Sequence, residues 1–305
     1  MEPVFNRYSR FLKKKYGKTT YRVSVAAGFS CPVRAGGRGD TGCAFCDAEG
    51  SRAPYLGDLE HLEEQILQSI AFLSKRYKAE LFLLYFQAFS NTYAPIDRLK
   101  EIYDRGLSVH DFKQLIVSTR PDCIDRERAD LLASYIRPDF EVWTELGLQS
   151  ANPDTLSRIN RGHGVDDFLE AFHLLRSQGI KLAVHVIFGL PGEGLEDVLK
   201  TIRFLSALKP EALKIHDLHL PKASPLFTEF LKGELSLPST ERHLEYVARS
   251  LERIPPEMLI MRLSCDTPVE RLGYPKRSIE KTWFYRTLEK KMRSEDSYQG
   301  KYYTH

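Results

Sequence analysis

The chain has 305 residues, 42% of them hydrophobic and 28% charged, and a net charge of +3 at pH 7. The apolar share is enough for a large core, five cysteines in a chain this long exclude a disulfide scaffold, and the absence of any apolar run of roughly 18 residues or of an apolar signal core excludes a membrane span and a secretory leader. A cytoplasmic protein with reduced thiols or bound metal is expected.

Residues 1–22 carry seven Lys or Arg against one acid, with Tyr8, Phe11, Tyr16 and Tyr21 among them. Residues 271–305 carry nine against four, with Trp283, Phe284, Tyr285, Tyr298, Tyr302 and Tyr303. Basic, aromatic ends on an acidic body fit a polyanion docking surface or simply solvated helix faces. After a basic segment over 1–20, apolar β-prone runs alternate with amphipathic stretches. Strands are expected near Tyr21–Val25, Glu80–Gln87, Gln114–Ser118, Phe140–Leu148, Ile180–Phe188 and Leu213–Leu218. Helices fill the gaps, as at Leu59–Arg76, where Leu62, Ile66, Ile70 and Leu73 make one stripe. This alternation implies parallel strands with right-handed crossovers. It predicts an α/β fold: a partial (β/α)6 TIM-like barrel over 21–237, with a C-terminal α/β extension over 238–305 that holds a strand-like Met258–Ser264 and a helix-like Ser278–Met292.

Function in such a fold gathers where strands end. The first strand leads into Gly28-Phe-Ser-Cys31 and Cys43-Ala-Phe-Cys46. Three thiolates are one short of a structural zinc site or a four-cysteine cubane, which suggests an iron-sulfur cluster with one open iron. Gly36, Gly37, Gly39 and Gly42 let the loop wrap a bulky group. His61 is the nearest histidine and Cys123 and Cys265 are remote, but the spacing alone leaves zinc or structural cysteines open. The second strand runs into Gln87-Ala-Phe-Ser-Asn-Thr-Tyr93 and the third into Ser118-Thr-Arg-Pro-Asp122. On the fourth, Trp143, Glu145, Gly147 and Gln149 share one face; a buried Glu145 needs a polar ligand or a barrel Arg. The fifth gives His185 and then Gly189 and Gly192, where a flat ring has room to approach the backbone. The sixth puts Lys214 and His216 on one face, Asp217 and His219 on the other, and one pair looks inward.

Together these stretches, with Arg158-Ile-Asn-Arg-Gly-His163 and Gly189-Leu-Pro-Gly-Glu-Gly194, resemble the radical S-adenosylmethionine superfamily and, within it, the YhcC/YtqA-type bacterial family related to the Elongator catalytic subunit. The resemblance covers roughly residues 20–265, in family order. The eleven residues between Cys31 and Cys43 exceed the superfamily's usual first gap but suit this branch. It implies that Cys31, Cys43 and Cys46 hold a [4Fe-4S] cluster. Gln87 and Ser90 stand where relatives contact the methionine amino group, although the usual Glu is missing. Glu145 and Gln149 reach the ribose or methionine part, Arg161 pairs with the methionine carboxylate, Ile187 and Gly189 flank the adenine, and Arg120 contacts cofactor or substrate. It further implies a flavodoxin or ferredoxin as electron donor and the anticodon loop of tRNA as substrate. There a 5′-deoxyadenosyl radical would convert 5-carboxymethylaminomethyl to 5-aminomethyl on the wobble uridine. No catalytic side chain is assigned. The other readings are the same chemistry on a small molecule or protein, and a non-enzymatic zinc-containing RNA-binding module. Cys123 reads as core; Cys265 is the candidate for an extra thiol near the site.

Overall fold

The computed structural model describes residues 3–35, 42–46, 50, 56, 59–265 and 267–304. In chain order its elements are α1 (Tyr8–Tyr16), β1 (Thr20–Val25), α2 (Pro32–Ala35), α3 (Leu62–Tyr77), β2 (Leu81–Phe86), α4 (Ile96–Ser108), β3 (Gln114–Thr119), α5 (Arg126–Ala133), β4 (Glu141–Gln149), α6 (Pro153–Arg158) and α7 (Val165–Ser177). They continue as β5 (Lys181–Phe188), α8 (Leu195–Leu208), β6 (Ala212–Asp217), β7 (Leu220–Pro221), α9 (Pro225–Leu231), α10 (Thr240–Leu251), β8 (Leu259–Arg262), β9 (Leu272–Tyr274) and α11 (Lys281–Ser294). The six expected strands are β1 to β6, and the expected stripe of Leu62, Ile66 and Leu73 is the buried face of α3.

The strands pair in parallel in the order β1-β2-β3-β4-β5-β6-β8 and curl into an incomplete barrel. A seventh strand, β8, therefore joins the six, and it comes from the C-terminal extension. Both faces of each strand are covered, so the sequences are continuously apolar rather than alternating. In β2, Phe82, Leu84 and Phe86 pack under the outer helices. Its Leu83 and Tyr85 face inward with Ile116, Trp143, Ala183, Ala212 and Leu259.

The helix α1 closes the barrel at the end where strands begin. Tyr8 and Leu12 are buried in the inner cluster, with the Tyr8 ring edge-on to Trp143 at 5.9 Å. Burying each such side chain contributes about 1.5–3 kcal/mol. Lys15 and Lys181 bind the Glu141 carboxylate, and together they hold it down at about 2 against the opposing effect of burial. The two basic ends meet: Arg7 pairs with Glu289 at 2.6 Å and the Asn6 N–H donates to Gln299 Oε1 at 2.8 Å. Of the aromatics at these ends, Tyr8 and Phe284 are core, while Trp283, Tyr298 and Tyr302 are exposed. No helix among the described residues is long and apolar enough to cross a membrane.

Candidate functional site

The cysteines lie beyond the C-terminal end of β1, and hydrogen bonds from distant segments fix their turns. The Arg34 N–H donates to Cys31 O and the Cys46 N–H to Cys43 O, each at 2.9 Å. The 43–46 turn is stitched between α6 and α9: the Ala44 N–H donates to Ile159 O at 2.9 Å, and Ala44 O accepts from the Leu226 N–H at 3.0 Å. None of the three is in a disulfide; Cys43 is buried and the others half-buried. Burial pushes the Cys31 thiol up to about 12, Arg120 and Arg161 pull the other way, and charge on Cys46 or Cys43 adds to the rise. Among the described residues no three His, Cys, Asp or Glu converge at single-ion spacing. A four-iron cubane binds each thiolate at a different iron and so holds its ligand sulfurs farther apart than one ion does. Gly36, Gly37 and Gly39 lie outside the described residues.

Two guanidinium groups converge on Cys43. Arg161 Nη1 is 3.4 Å from its Sγ and Arg120 Nη1 3.7 Å. Arg161 lies across β4 and donates through Nη2 to Gly147 O at 2.9 Å. Only glycine permits this: a Cβ on Gly147 would stand 2.7 Å from Arg161 Nη2 and 2.8 Å from Gln149 Nε2. A register shift at Gly147/Gln149 and a left-handed φ of 74° at Gln149 bring that amide back over the strand end, a conformation costing about 1–3 kcal/mol. Arg161 Nε and Gln149 Oε1 are both buried without a hydrogen-bond partner. An unfilled donor and an unfilled acceptor beside a thiol mark a place for a polar ligand, because such groups are costly to leave alone.

The other residues singled out in the sequence divide. Arg120 donates through Nε and Nη2 to Asp122 at 2.8 and 2.7 Å and through Nη2 to Arg161 O at 2.7 Å. Only its Nη1 faces the thiol, so Arg120 positions the Arg161 segment. Ser90 is fully buried; its hydroxyl contacts Thr119 Oγ1 at 2.8 Å and accepts from the Arg120 N–H at 3.3 Å. Its own N–H donates to Ser30 O at 3.2 Å, beside Cys31, which makes Ser90 a tether between β3 and the cysteine loop. Gln87 is half-buried at the end of β2, its N–H donating to Val25 O at 3.2 Å. Ile187 packs with Ala44, Ile159 and Leu218. The open face of Gly189 is filled from within the chain: a Cβ there would stand 2.8 Å from Pro238 Cδ, so the flat group against this glycine is a proline ring.

Glu145 makes the structural pairing that the sequence left as its alternative. It lies inside the barrel, bound by Arg22 at 2.5 Å, by Lys214 at 2.8 Å and by the Tyr85 hydroxyl. Burial works against its charge, but Lys214 and Arg22 hold the carboxyl far below its ordinary value. Burial pulls Lys214 down to about 8 against the pull of Glu145. Lys214 and His216 are the inward pair of β6. On the outer side His219 binds Asp217 at 2.7 Å and touches the Thr267 hydroxyl at 3.0 Å. Burial alone would lower His219, but Asp217 and Cys265 lift it to about 10. Asp217 also accepts from the Cys265 N–H at 2.6 Å.

Glu145→Gln leaves Arg22 and Lys214 without a counter-charge and is expected to cost about 3–5 kcal/mol in urea unfolding at pH 7. A depressed carboxyl contributes stability above its unfolded value of 4.5 and loses it as pH falls toward the folded one. The variant should therefore lose less stability on acidification than the parent, and parallel acid curves would contradict this.

Arg22, Tyr85, Asp122 and Arg262 support these groups, and sequence reasoning gave none of them a role. The one available signal was an arginine inside the apolar run of β1. A cavity of about 590 Å³ lined by Arg10, Lys14, Trp143, Lys181 and Lys209 lies at the opposite end, under α1. It is remote from the thiols.

Residues 35–205 match the Radical SAM superfamily and residues 210–294 the Radical_SAM C-terminal domain. The Bacillus subtilis (strain 168) protein YtqA is 33% identical over 303 residues, covering 99% of this chain and 94% of its own length. Elongator complex protein 3 of Mus musculus is 31% identical over 159 residues, 51% of this chain and 28% of that protein. Among solved structures, the archaeal Methanocaldococcus infernus Elp3 with an N-terminal deletion superposes with a TM-score of 0.73 at 18% identity, covering 92% of this chain. The chain spans 64% of that structure, and the likeness is one of fold.

Proposed function

Because the chain belongs to the radical S-adenosylmethionine superfamily, in the YhcC/YtqA-type family related to Elongator complex protein 3, we propose that Cys31, Cys43 and Cys46 hold its [4Fe-4S] cluster and that the groups around Gly147 hold S-adenosylmethionine. Membership makes the chain an enzyme of radical chemistry with those two cofactors, which sets aside the zinc-containing RNA-binding module. Cluster and S-adenosylmethionine, when bound, supply one-electron chemistry at an unactivated carbon.

The observation that carries the reading is the pairing of an unfilled Arg161 Nε with an unfilled Gln149 Oε1, both buried, beside a thiol that two guanidiniums already face. An amino-acid headgroup fills both: its carboxylate on the Arg161 fork and its ammonium on the Gln149 amide oxygen. Arg120 and Arg161 offset the negative charge that thiolate ligation brings into a buried place. The incomplete barrel leaves its interior open to a substrate at the strand ends, where Gly147 keeps the floor below Arg161 clear.

The substrate in this proposal is the wobble uridine of tRNA, converted from 5-carboxymethylaminomethyl to 5-aminomethyl by cleavage of the N–CH2 bond, the two carbons leaving as glyoxylate after hydrolysis, with S-adenosylmethionine as the two-electron oxidant and flavodoxin or ferredoxin as the one-electron donor that primes it. Support comes from the family resemblance and from the two basic ends, which meet through Arg7–Glu289 and carry exposed Trp283, Tyr298 and Tyr302. These ends lie at the base of the barrel, away from the thiols, so they suit the phosphates of the tRNA body rather than the modified loop. Nucleosides from tRNA of a strain lacking the gene, read by mass spectrometry beside the parent, should show 5-carboxymethylaminomethyluridine accumulating and its aminomethyl products lost. An unchanged profile in a strain that expresses the protein would move the substrate to a small molecule or protein.

A further inference from the structure

The barrel interior below Arg161 carries more positive charge than it pairs. Between Leu213 and Lys214 the β6–β8 register shifts, so that Lys214 stands opposite Arg262. Bulges of this kind re-aim a side chain, and here Arg262 reaches His216, Nη1 to Nε2 at 3.4 Å. The His216 ring lies 4.1 Å from that of His185, edge-on at 67°. His185 is the register neighbour of Lys214 on one side and of Gly147 on the other. Gly147 O holds Arg161, and Arg161 faces Cys43, so His185 connects to the thiol site through the neighbouring strand and Arg161.

The charge count among the described residues is uneven. Arg22, Lys214 and Arg262 gather here with one carboxylate, Glu145, which Arg22 and Lys214 already share. Burial, together with Lys214 and Arg262, keeps both imidazoles neutral. His185 Nε2 is buried with no hydrogen-bond partner. Both rings lie deep in the barrel yet are only half-buried by surface area, as expected of side chains lining an internal space. An unmatched guanidinium, an unfilled imidazole nitrogen and two rings that keep some exposed surface together describe an anion site.

We propose that His185, His216 and Arg262 form a carboxylate-binding floor that anchors the carboxymethyl group of the substrate below the cofactor. Arg262 supplies the charge and the imidazoles supply direction. The proposal rests on the assignment of this barrel as the site of the radical reaction. It separates two carboxylates, with the methionine carboxylate on Arg161 and the substrate carboxylate one layer deeper.

The test uses the full chain with cluster and S-adenosylmethionine, and anticodon stem-loop RNA bearing either 5-carboxymethylaminomethyluridine or 5-aminomethyluridine. The parent should prefer the carboxylate RNA by about ten- to a hundredfold, the range of a hydrogen bond to a charged group. Arg262→Gln and, separately, His216→Gln should erase that preference while leaving S-adenosylmethionine affinity and the unfolding midpoint unchanged. Equal weakening of S-adenosylmethionine binding would assign the floor to the cofactor and overturn the proposal, as would a parent that binds both RNAs alike. A second measurement isolates the floor from the RNA: histidine-selective NMR of the cluster-free chain titrated with N-methylglycine. If neither RNA binds but the amino acid shifts His185 and His216 in the parent and not in Arg262→Gln, the floor stands and the tRNA assignment falls. No shift with either ligand overturns the floor.

Discussion

Replacing Cys31, Cys43 or Cys46 singly with Ala is expected to bring iron and acid-labile sulfide in the anaerobically reconstituted protein below stoichiometric loading, and release of 5′-deoxyadenosine below detection. The reason is the number of ligands: a three-thiolate set has no spare member. The loss should be chemical and not structural. Backbone bonds fix the turn through Ala44 to Ile159 and Leu226, and those survive removal of a thiol, so the unfolding midpoint should stay within about 1 kcal/mol of the parent. Cys43→Ala is the sharpest case, since it also strands Arg120 Nη1 and Arg161 Nη1. Cys123→Ser and Cys265→Ser are the controls: Cys123 is buried behind Arg120, and Cys265 sits with Asp217 and Thr267 on the outer side of β6. Full iron in any triad variant, or its loss in both controls, would contradict the assignment.

Arg161→Gln is expected to weaken S-adenosylmethionine binding by about ten- to a hundredfold while the cluster still assembles. A hydrogen bond to a charged group contributes about 1.5–3 kcal/mol, and the fork that meets a carboxylate with two donors has no equivalent in an amide. Arg161→Lys should recover little, because a point charge on a flexible stem neither reaches Gly147 O nor presents two donors. Gly147→Ala tests the same claim from the strand. The new Cβ would stand 2.7 Å from Arg161 Nη2, displacing the guanidinium without removing it, and affinity should fall in the same direction. If both variants act through one guanidinium, the double variant should be no worse than Arg161→Gln, a coupling that a double-mutant cycle measures. Additive losses would mean that Gly147 serves the site in some other way.

The strands were legible because burial on two faces leaves continuous apolar runs, and their ends were legible because polar and glycine-rich stretches interrupt those runs at regular intervals. The cysteines stood out as a residue type whose chemistry outweighs its context, and Arg161 entered only through the family resemblance. The rest depended on where the sheet curls. Arg22 meets Glu145 across 123 positions of sequence, and Arg262 turns inward through a one-residue register shift that no periodicity announces. Gly189 was read as open to a flat ring, and the ring is Pro238, delivered by a segment beyond the sixth strand. The resemblance implies ligand contacts for Ser90 and Arg120; in the structure Ser90 contacts Thr119 and Arg120 binds Asp122, partners that the sequence alone does not place beside them.

The contact between the two ends of the chain also dictates an order of assembly. The segment around Asn6 is synthesised long before its partners: the Asn6 carbonyl waits for the Ile260 N–H, and the Asn6 N–H for a glutamine 293 positions later. It is therefore among the last parts to dock, a long closure that slows folding. Until β8 is synthesised, Trp143 and the inner apolar ring lack their cover at the base, and the nascent chain presents that surface to chaperones or to other chains.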